Sequence, residues 1–353
     1  MSGVAQLYEQ SDFPIFQNRM YESAEEARAC PRGDIRLVQD DISGLVYNAA
    51  FRQELMTYDA AYENEQAHSP VYKRHLEEVA SIVERNLGTD GLVEVGCGKA
   101  YFLELLQSRG CSITGFDTTY DGNNPAVERR YFGDGVTVSA RGGIVLRGVL
   151  PHVQNPVGFL EGLRDANDGG LIYIEVESFE RILRARAWYN IFYEYVTYFR
   201  LEDFSRMFGR VVESGYLFGG QCLYVVADLA TLRPPLSTVA DRVDFPEDFL
   251  ATATLAPSDR VGGVHAVWGA SSKGVIYSLL RERCGNPVDV LIDINPAKWN
   301  KFVPATGVPV MSPEEGMAKL APGSDIYVMN SIYTEEIRTM TRDRFKLIGV
   351  EYD

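Results

Sequence analysis

The chain has 353 residues, with 34 Lys and Arg against 49 Asp and Glu, a formal net charge of −15, 46% apolar residues and 24% charged ones. That length and composition predict a large packed core in two or three domains, and so acidic a surface repels phosphate backbones and argues against nucleic acid as a partner. No apolar run reaches the ~18 residues that signal a membrane span.

The first residues, Met1-Ser2-Gly3-Val4, carry no basic segment followed by an apolar one, so no export signal is expected. The five cysteines, Cys30, Cys97, Cys111, Cys222 and Cys284, are odd in number and contain no C-x-x-C pair. A disulfide framework and a Cys-rich metal site are both unexpected, and a reducing cytoplasm fits. Oligomeric state leaves no signal.

Residues 1–68 read as a poorly periodic, acidic and aromatic lead-in. Ser69-Pro70 then offers an N-cap and a first-turn proline, and apolar residues keep helical spacing from Val71 to Leu87, with Gly88 as the stop. From there the pattern alternates: strand 92–95, helix 100–109, strand 112–116, strand 143–147, a helix from Pro156, strand 171–176, and a hairpin 211–218/221–227. This predicts an α/β fold with a parallel sheet ended by an antiparallel hairpin. Residues 232–250 read as a linker. A second Rossmann-like unit over 251–353 is predicted from strands 264–268, 288–292, 326–329 and 345–350 and helices 274–283 and 334–341.

The densest signal is Leu92-Val93-Glu94-Val95-Gly96-Cys97-Gly98-Lys99-Ala100, a strand running into two glycines and a helix. The next strand ends in Asp117. A Gly-x-Gly turn of this kind suits a nucleotide, and NAD is one option. The dinucleotide pattern needs a third glycine, however, where Tyr101 stands. An acid near the end of each strand suits S-adenosylmethionine (SAM) better: Asp117 can accept both ribose hydroxyls, while Glu94 orders the loop near the ligand's ammonium. The expected cofactor-binding residues are Glu94, Gly96, Cys97, Gly98, Lys99, Asp117 and Arg147, the last holding the cofactor carboxylate. Methyl transfer from a sulfonium is an in-line displacement that needs alignment, and a base when the acceptor starts protonated.

Several stretches reach beyond this core. They are Phe16-Gln17-Asn18, Tyr58-Asp59, Tyr62-Glu63-Asn64, His68-Ser69, Leu150-Pro151-His152-Val153 and Tyr193-Glu194-Tyr195. To them belong residues 268–274 (Trp-Gly-Ala-Ser-Ser-Lys-Gly), Asp293-Ile294-Asn295-Pro296-Ala297-Lys298, Asn330 and Glu335-Glu336-Ile337. With these the chain resembles, over nearly its whole length, the three-part class I SAM-dependent C-methyltransferases of natural-product (deoxysugar-type) precursors. The resemblance implies a small-molecule substrate, possibly nucleotide-linked, and S-adenosylhomocysteine (SAH) as product.

Two departures stand out. The family's lead-in carries four cysteines around zinc; here only Cys30 remains there, with Asp40 and Ser43 in place of a second pair, so no zinc or other metal is expected. The family's Glu-His dyad is Glu194-Tyr195, and Phe192 replaces an aromatic hydroxyl. Tyr titrates near ~10, against ~6.5 for His, and would need activation to act as a base. The catalytic candidates are therefore His152, Glu194, Tyr195 and Tyr62. Glu194 lies in an aromatic run whose burial would raise its pKa. His75, beside Lys73, Arg74 and Glu77, reads as solvated. In the last unit, Gly269-x-Ser271-x-x-Gly274 imitates a phosphate-holding loop. Two alternatives remain open. One is an O- or N-methyltransferase on a non-sugar precursor such as an amino-acid derivative. The other is an NAD(P)-binding oxidoreductase or a non-catalytic SAM-binding module.

Overall fold

The computed structural model describes residues 3–56, 62–63, 65, 67–133, 142–254 and 263–351. Sixteen strands lie among the described residues. The first nine are β1 (Val4–Pro14), β2 (Arg32–Asp40), β3 (Val46–Asn48), β4 (Leu92–Val95), β5 (Ile113–Phe116), β6 (Val127–Glu128), β7 (Ile144–Arg147), β8 (Leu171–Glu177) and β9 (Thr197–Tyr198). They are followed by β10 (Val211–Leu217), β11 (Cys222–Asp228), β12 (Ala266–Trp268), β13 (Val290–Ile292), β14 (Val310–Met311), β15 (Asp325–Val328) and β16 (Lys346–Gly349).

The central sheet has the order β10-β11-β8-β7-β4-β5-β6. Its strands β6 to β8 pair in parallel, and β11 joins β8 antiparallel, as the alternating pattern predicts. Leu92, Val93, Ile144, Val145 and Leu146 are all buried, because helices cover both faces. The helix Pro70–Leu87 starts where expected: the Ser69 side chain accepts from Val71 and Tyr72, and Gly88 closes the end at φ 82°.

The carboxy-terminal sheet is wholly parallel, in the order β14-β13-β12-β15-β16. It is a second Rossmann-like layer. β14 and the helix Pro313–Ala318 were not visible in the sequence pattern.

The lead-in is more ordered than its sequence suggests. β1 and β2 form a long antiparallel pair whose register shifts at Gln6/Tyr8 and Gln10/Phe13. Those shifts break the two-residue alternation on which strand recognition depends. β3 continues the sheet, and β9, from beyond residue 69, completes it. The expected linker also packs down: Ser237 N–H donates to Ile42, and the Gln39 amide to the Asp241 carbonyl. The aromatic run is the hub of the molecule. Trp188, Tyr189 and Tyr193 share one apolar cluster with Phe13, Ile35 and Leu37 from the lead-in and Val275, Ile276 and Leu280 from the carboxy-terminal unit. Trp188 stacks on Tyr277 with ring centroids 5.5 Å apart. No helix among the described residues is long and apolar enough to cross a membrane.

Candidate active site

The central sheet reverses its strand order around β4, with β5 on one side and β7 on the other, which opens a crevice at the carboxyl ends of these strands. The turn after β4 lies there. Gly96 and Gly98 adopt φ of 74° and 54°. A side chain at Gly96 would strike Val149, whereas one at Gly98 would meet nothing within 4 Å, so the turn's backbone is open to a ligand. Ala100 caps the helix Tyr101–Ser108 in a left-handed conformation at φ 63°, tolerated although the position favours glycine.

Glu94 is 3% exposed, and its Oε2 has no hydrogen-bond partner. Burial pushes its pKa up to about 8, Arg147 opposes the shift and Asp117 adds to it. A buried acid of this kind ionises readily only when a cation arrives. Asp117, just past β5, accepts the Gly98 N–H on Oδ2 at 2.8 Å and the Thr119 N–H and hydroxyl on Oδ1, each at 2.8 Å. It thereby shapes the glycine turn and keeps acceptor capacity on Oδ2.

The other three residues expected at the cofactor lie differently. The Cys97 thiol is buried and held neutral, its pKa raised chiefly by burial. Lys99 is exposed, and its ammonium sits 3.0 Å from Asp121. Arg147 is committed to protein groups: Nε donates to Glu175 at 3.0 Å, the guanidinium reaches the Tyr72 hydroxyl at 3.4 Å, and it covers the Phe102 ring.

Glu175 also explains a correction. His75 is not solvated; it is 4% exposed, with Nε2 2.7 Å from Glu175 Oε1. Burial alone would raise the Glu175 pKa, but Arg147 and His75 outweigh it and hold the carboxyl at about 2. His75, Glu175 and Cys222 lie close enough to share a metal ion. Arg147 already neutralises the carboxylate, which disfavours a cation there.

The four catalytic candidates come together. The backbone of residues 194–197 lies against the turn after β7: Val196 N–H donates to the Pro151 carbonyl at 2.7 Å, and the Thr197 hydroxyl to the Val153 carbonyl at 3.2 Å. His152, in that turn, meets Tyr195 edge to face at 5.0 Å. Enclosure lowers its pKa to about 4, with a contact to the Glu194 backbone opposing the shift, so His152 is neutral at physiological pH. Glu194 is 2% exposed. Its Oε1 accepts the Gln17 N–H at 2.6 Å, while Oε2 has no partner. Burial raises its pKa to about 7, against the stabilising Gln17 backbone, Tyr62 hydroxyl and Asn18 backbone. The Tyr195 hydroxyl donates to Glu177 Oε1 at 2.6 Å, and burial followed by the Glu177 charge pushes its pKa well above the ordinary value. Tyr195 is thus a donor, not a base. Tyr62 receives a hydrogen bond from the Asn18 amide at 3.3 Å. Tyr58, Asp59 and Asn64 lie outside the described residues.

Glu175 and Glu177 escaped notice in the sequence, although two acids at the carboxyl end of a predicted parallel strand were a usable signal. In Asp40–Ser43, the Asp40 carboxylate accepts the Ile42 and Ser43 N–H groups and the Ser43 hydroxyl, a self-satisfied turn where the resemblance implied metal ligands.

The family described as a methyltransferase domain matches residues 64–211. The core is a methyltransferase domain. No curated protein matches the chain. The methyltransferase has several similar solved structures. A Burkholderia thailandensis 1,6-didemethyltoxoflavin-N1-methyltransferase with bound SAH is 14% identical, over 45% of this chain and 80% of that one, with a TM-score of 0.35. The N-methyltransferase NodS from Bradyrhizobium japonicum is 14% identical, over 45% and 97%, with a TM-score of 0.31. The magnesium protoporphyrin IX methyltransferase of Synechocystis is 11% identical, over 45% and 83%, with a TM-score of 0.34.

SAM is the methyl donor that the sequence of this core points to. The crevice fits it: the open Gly98 backbone offers a close approach, Asp117 retains acceptor capacity, and the unpartnered, near-neutral Glu94 carboxyl suits a cationic ligand.

Proposed function

We propose that this methyltransferase acts on a small molecule of secondary metabolism and methylates a carbon next to a carbonyl, with Glu194 as general base. The observation that carries this reading is the Glu194 carboxyl, buried, with Oε2 unpartnered and a pKa raised to about 7. A base poised near the working pH takes a proton efficiently. The Tyr62 hydroxyl donates to Glu194, Tyr195 is held by Glu177 alongside, and neutral His152 packs on Tyr195.

SAM supplies an electrophilic methyl on a sulfonium and leaves as SAH. Around it Asp117 takes the ribose hydroxyls, Glu94 faces the cationic end, and the Gly96–Gly98 backbone lies along the ligand. We divide the chain into a lead-in at 1–68, the SAM-binding core at 69–231, a linker at 232–250 and a Rossmann-like unit at 251–353. We place the enzyme in the cytoplasm, consistent with its free cysteines.

A second reading has its own support. Tyr195 stands where the resembled enzymes have a basic histidine, and its pKa is raised, not lowered. A Glu194 base would serve a hydroxyl or ammonium acceptor on a non-sugar precursor equally well. Incubating the SAH-bound enzyme in D2O with nucleotide-linked keto sugars, and then with amines and alcohols, separates the two. Deuterium uptake at a C–H beside the carbonyl, lost in Glu194→Gln, marks carbon chemistry. SAH formation from SAM with amines or alcohols alone, without such uptake from any carbonyl compound, marks O- or N-methylation.

A further inference from the structure

The carboxy-terminal sheet has its own crevice, where strand order reverses around β12 and the chain leaves β12 and β15 at residues 269–273 and 329–330. In a nucleotide-binding protein this crevice would face solvent and a cofactor. Here the central domain enters it. Gln221, at the turn between β10 and β11, exchanges amide hydrogen bonds with Asn330 at 2.5 and 2.8 Å and accepts one from the Lys273 ammonium at 2.7 Å. Asp293, just past β13, accepts the Ala270 and Asn295 N–H groups. Lys298 binds Ser271 at 2.5 Å. The crevice is therefore turned onto the methyltransferase core.

Lys273 is the residue this arrangement leaves with donors to spare. An ammonium offers three donors, and the one hydrogen bond Lys273 makes among the described residues goes to a neutral amide. Its position is set by Gln221, whose carbonyl accepts the Ser178 N–H at 2.9 Å, and by Cys222, which pairs with Glu177. That is the carboxyl end of β8, where Glu177 holds Tyr195. The preceding residue, Ser272, accepts the Asn18 amide at 2.9 Å, and the same amide reaches Tyr62. Asn18 is 7% exposed, with Oδ1 unpartnered. Two neighbouring residues in the first turn of the helix Ser272–Arg283 thus reach both sides of the Tyr62–Glu194–Tyr195 cluster. Lys273 is half-buried, and desolvation draws its pKa down to about 8, with Glu351 and Glu177 opposing and Arg181 assisting.

We propose that Lys273 binds an anionic oxygen of the acceptor, the carboxylate or enolate oxygen of a carbonyl compound, opposite the Glu194 base. This rests on the carbon-acceptor reading above. Glu194 Oε2 takes the proton, the C–H pair becomes the C=C bond, and the carbonyl π pair moves to the oxygen at Lys273. The C=C pair then forms the new C–CH3 bond as the S–CH3 bond breaks with its pair kept on sulfur, while the oxygen returns to a carbonyl.

Oxalate, a planar dianion resembling an enolate, is the probe. SAH is titrated into wild type, Lys273→Gln and Lys273→Arg by calorimetry, and then oxalate into each SAH-saturated protein. SAH should bind all three alike, and oxalate should bind wild type and Lys273→Arg but at least roughly tenfold more weakly to Lys273→Gln, the worth of one charge-assisted hydrogen bond. If wild type does not bind SAH, the methyltransferase reading beneath the proposal fails. If SAH binds but oxalate binds wild type and Lys273→Gln equally, binds neither, or is lost equally from both variants, the proposal alone is overturned.

Discussion

Glu194→Gln should abolish turnover and yet stabilise the protein, by an amount that grows with pH. The folded-state pKa of Glu194 is about 7, against an ordinary 4.5, chiefly because burial penalises the charge. A carboxyl whose folded pKa is raised contributes its full stability below the unfolded value and loses it as pH rises through the folded value. At about 1.4 kcal/mol per pKa unit, ionising Glu194 in place costs the wild type about 3 kcal/mol by pH 8. Glutamine never ionises and keeps a carbonyl to accept the Gln17 N–H. Glu94, raised to about 8 by its own burial, is present in both proteins and drops out of the difference. Urea unfolding of both proteins at pH 5 and pH 8, followed by tryptophan fluorescence, should show the Gln variant gaining about 2–3 kcal/mol between the two conditions. A stability difference that does not change with pH would refute the raised pKa and, with it, the argument for Glu194 as a base poised near neutrality. In turnover, the wild-type kcat/KM should fall about tenfold per pH unit below 7 as Glu194 takes up its proton.

Asp117→Ala removes the partner of Gly98 N–H and the proposed ribose acceptor; SAH affinity by calorimetry should fall at least about tenfold. Glu175→Gln strips the anion from buried Arg147 and His75, and thermal or urea unfolding at pH 7 should show a loss of about 3–5 kcal/mol. Because the folded pKa of Glu175 is depressed to about 2, its contribution is present above the ordinary 4.5 and disappears as pH falls toward 2; the variant and wild type should therefore converge in stability in acid.

Much of the frame was legible in the residues. Ser69-Pro70 capped its helix as read, the alternating apolar runs became β4, β5, β7 and β8, and Gly96 and Gly98 took the positive φ that a tight turn before a helix demands. These are local events, decided within a few residues by capping, periodicity and backbone sterics. Strand β1 was hidden because its bulges break the alternation, and β9 because a two-residue strand has no pattern of its own.

The sites divide in the same way. Sequence alone placed acids near the ends of β4 and β5 around a glycine turn, and put Glu194 among aromatic residues. It misjudged His75, because polar neighbours along a helix say little about which face packs inward, and Glu175, 100 residues away, is what makes burial of the imidazole tolerable. Nor could it show that Arg147, expected at the cofactor, donates to Glu175 on the adjacent strand. Only the tertiary structure brought Tyr62, His152, Glu194 and Tyr195 into one cluster and laid the first turn of the helix Ser272–Arg283 against it. Such convergence depends on how separately folded layers pack, and the energies that decide it, burial of charge and pairing of distant polar groups, belong to contacts between residues far apart in the chain.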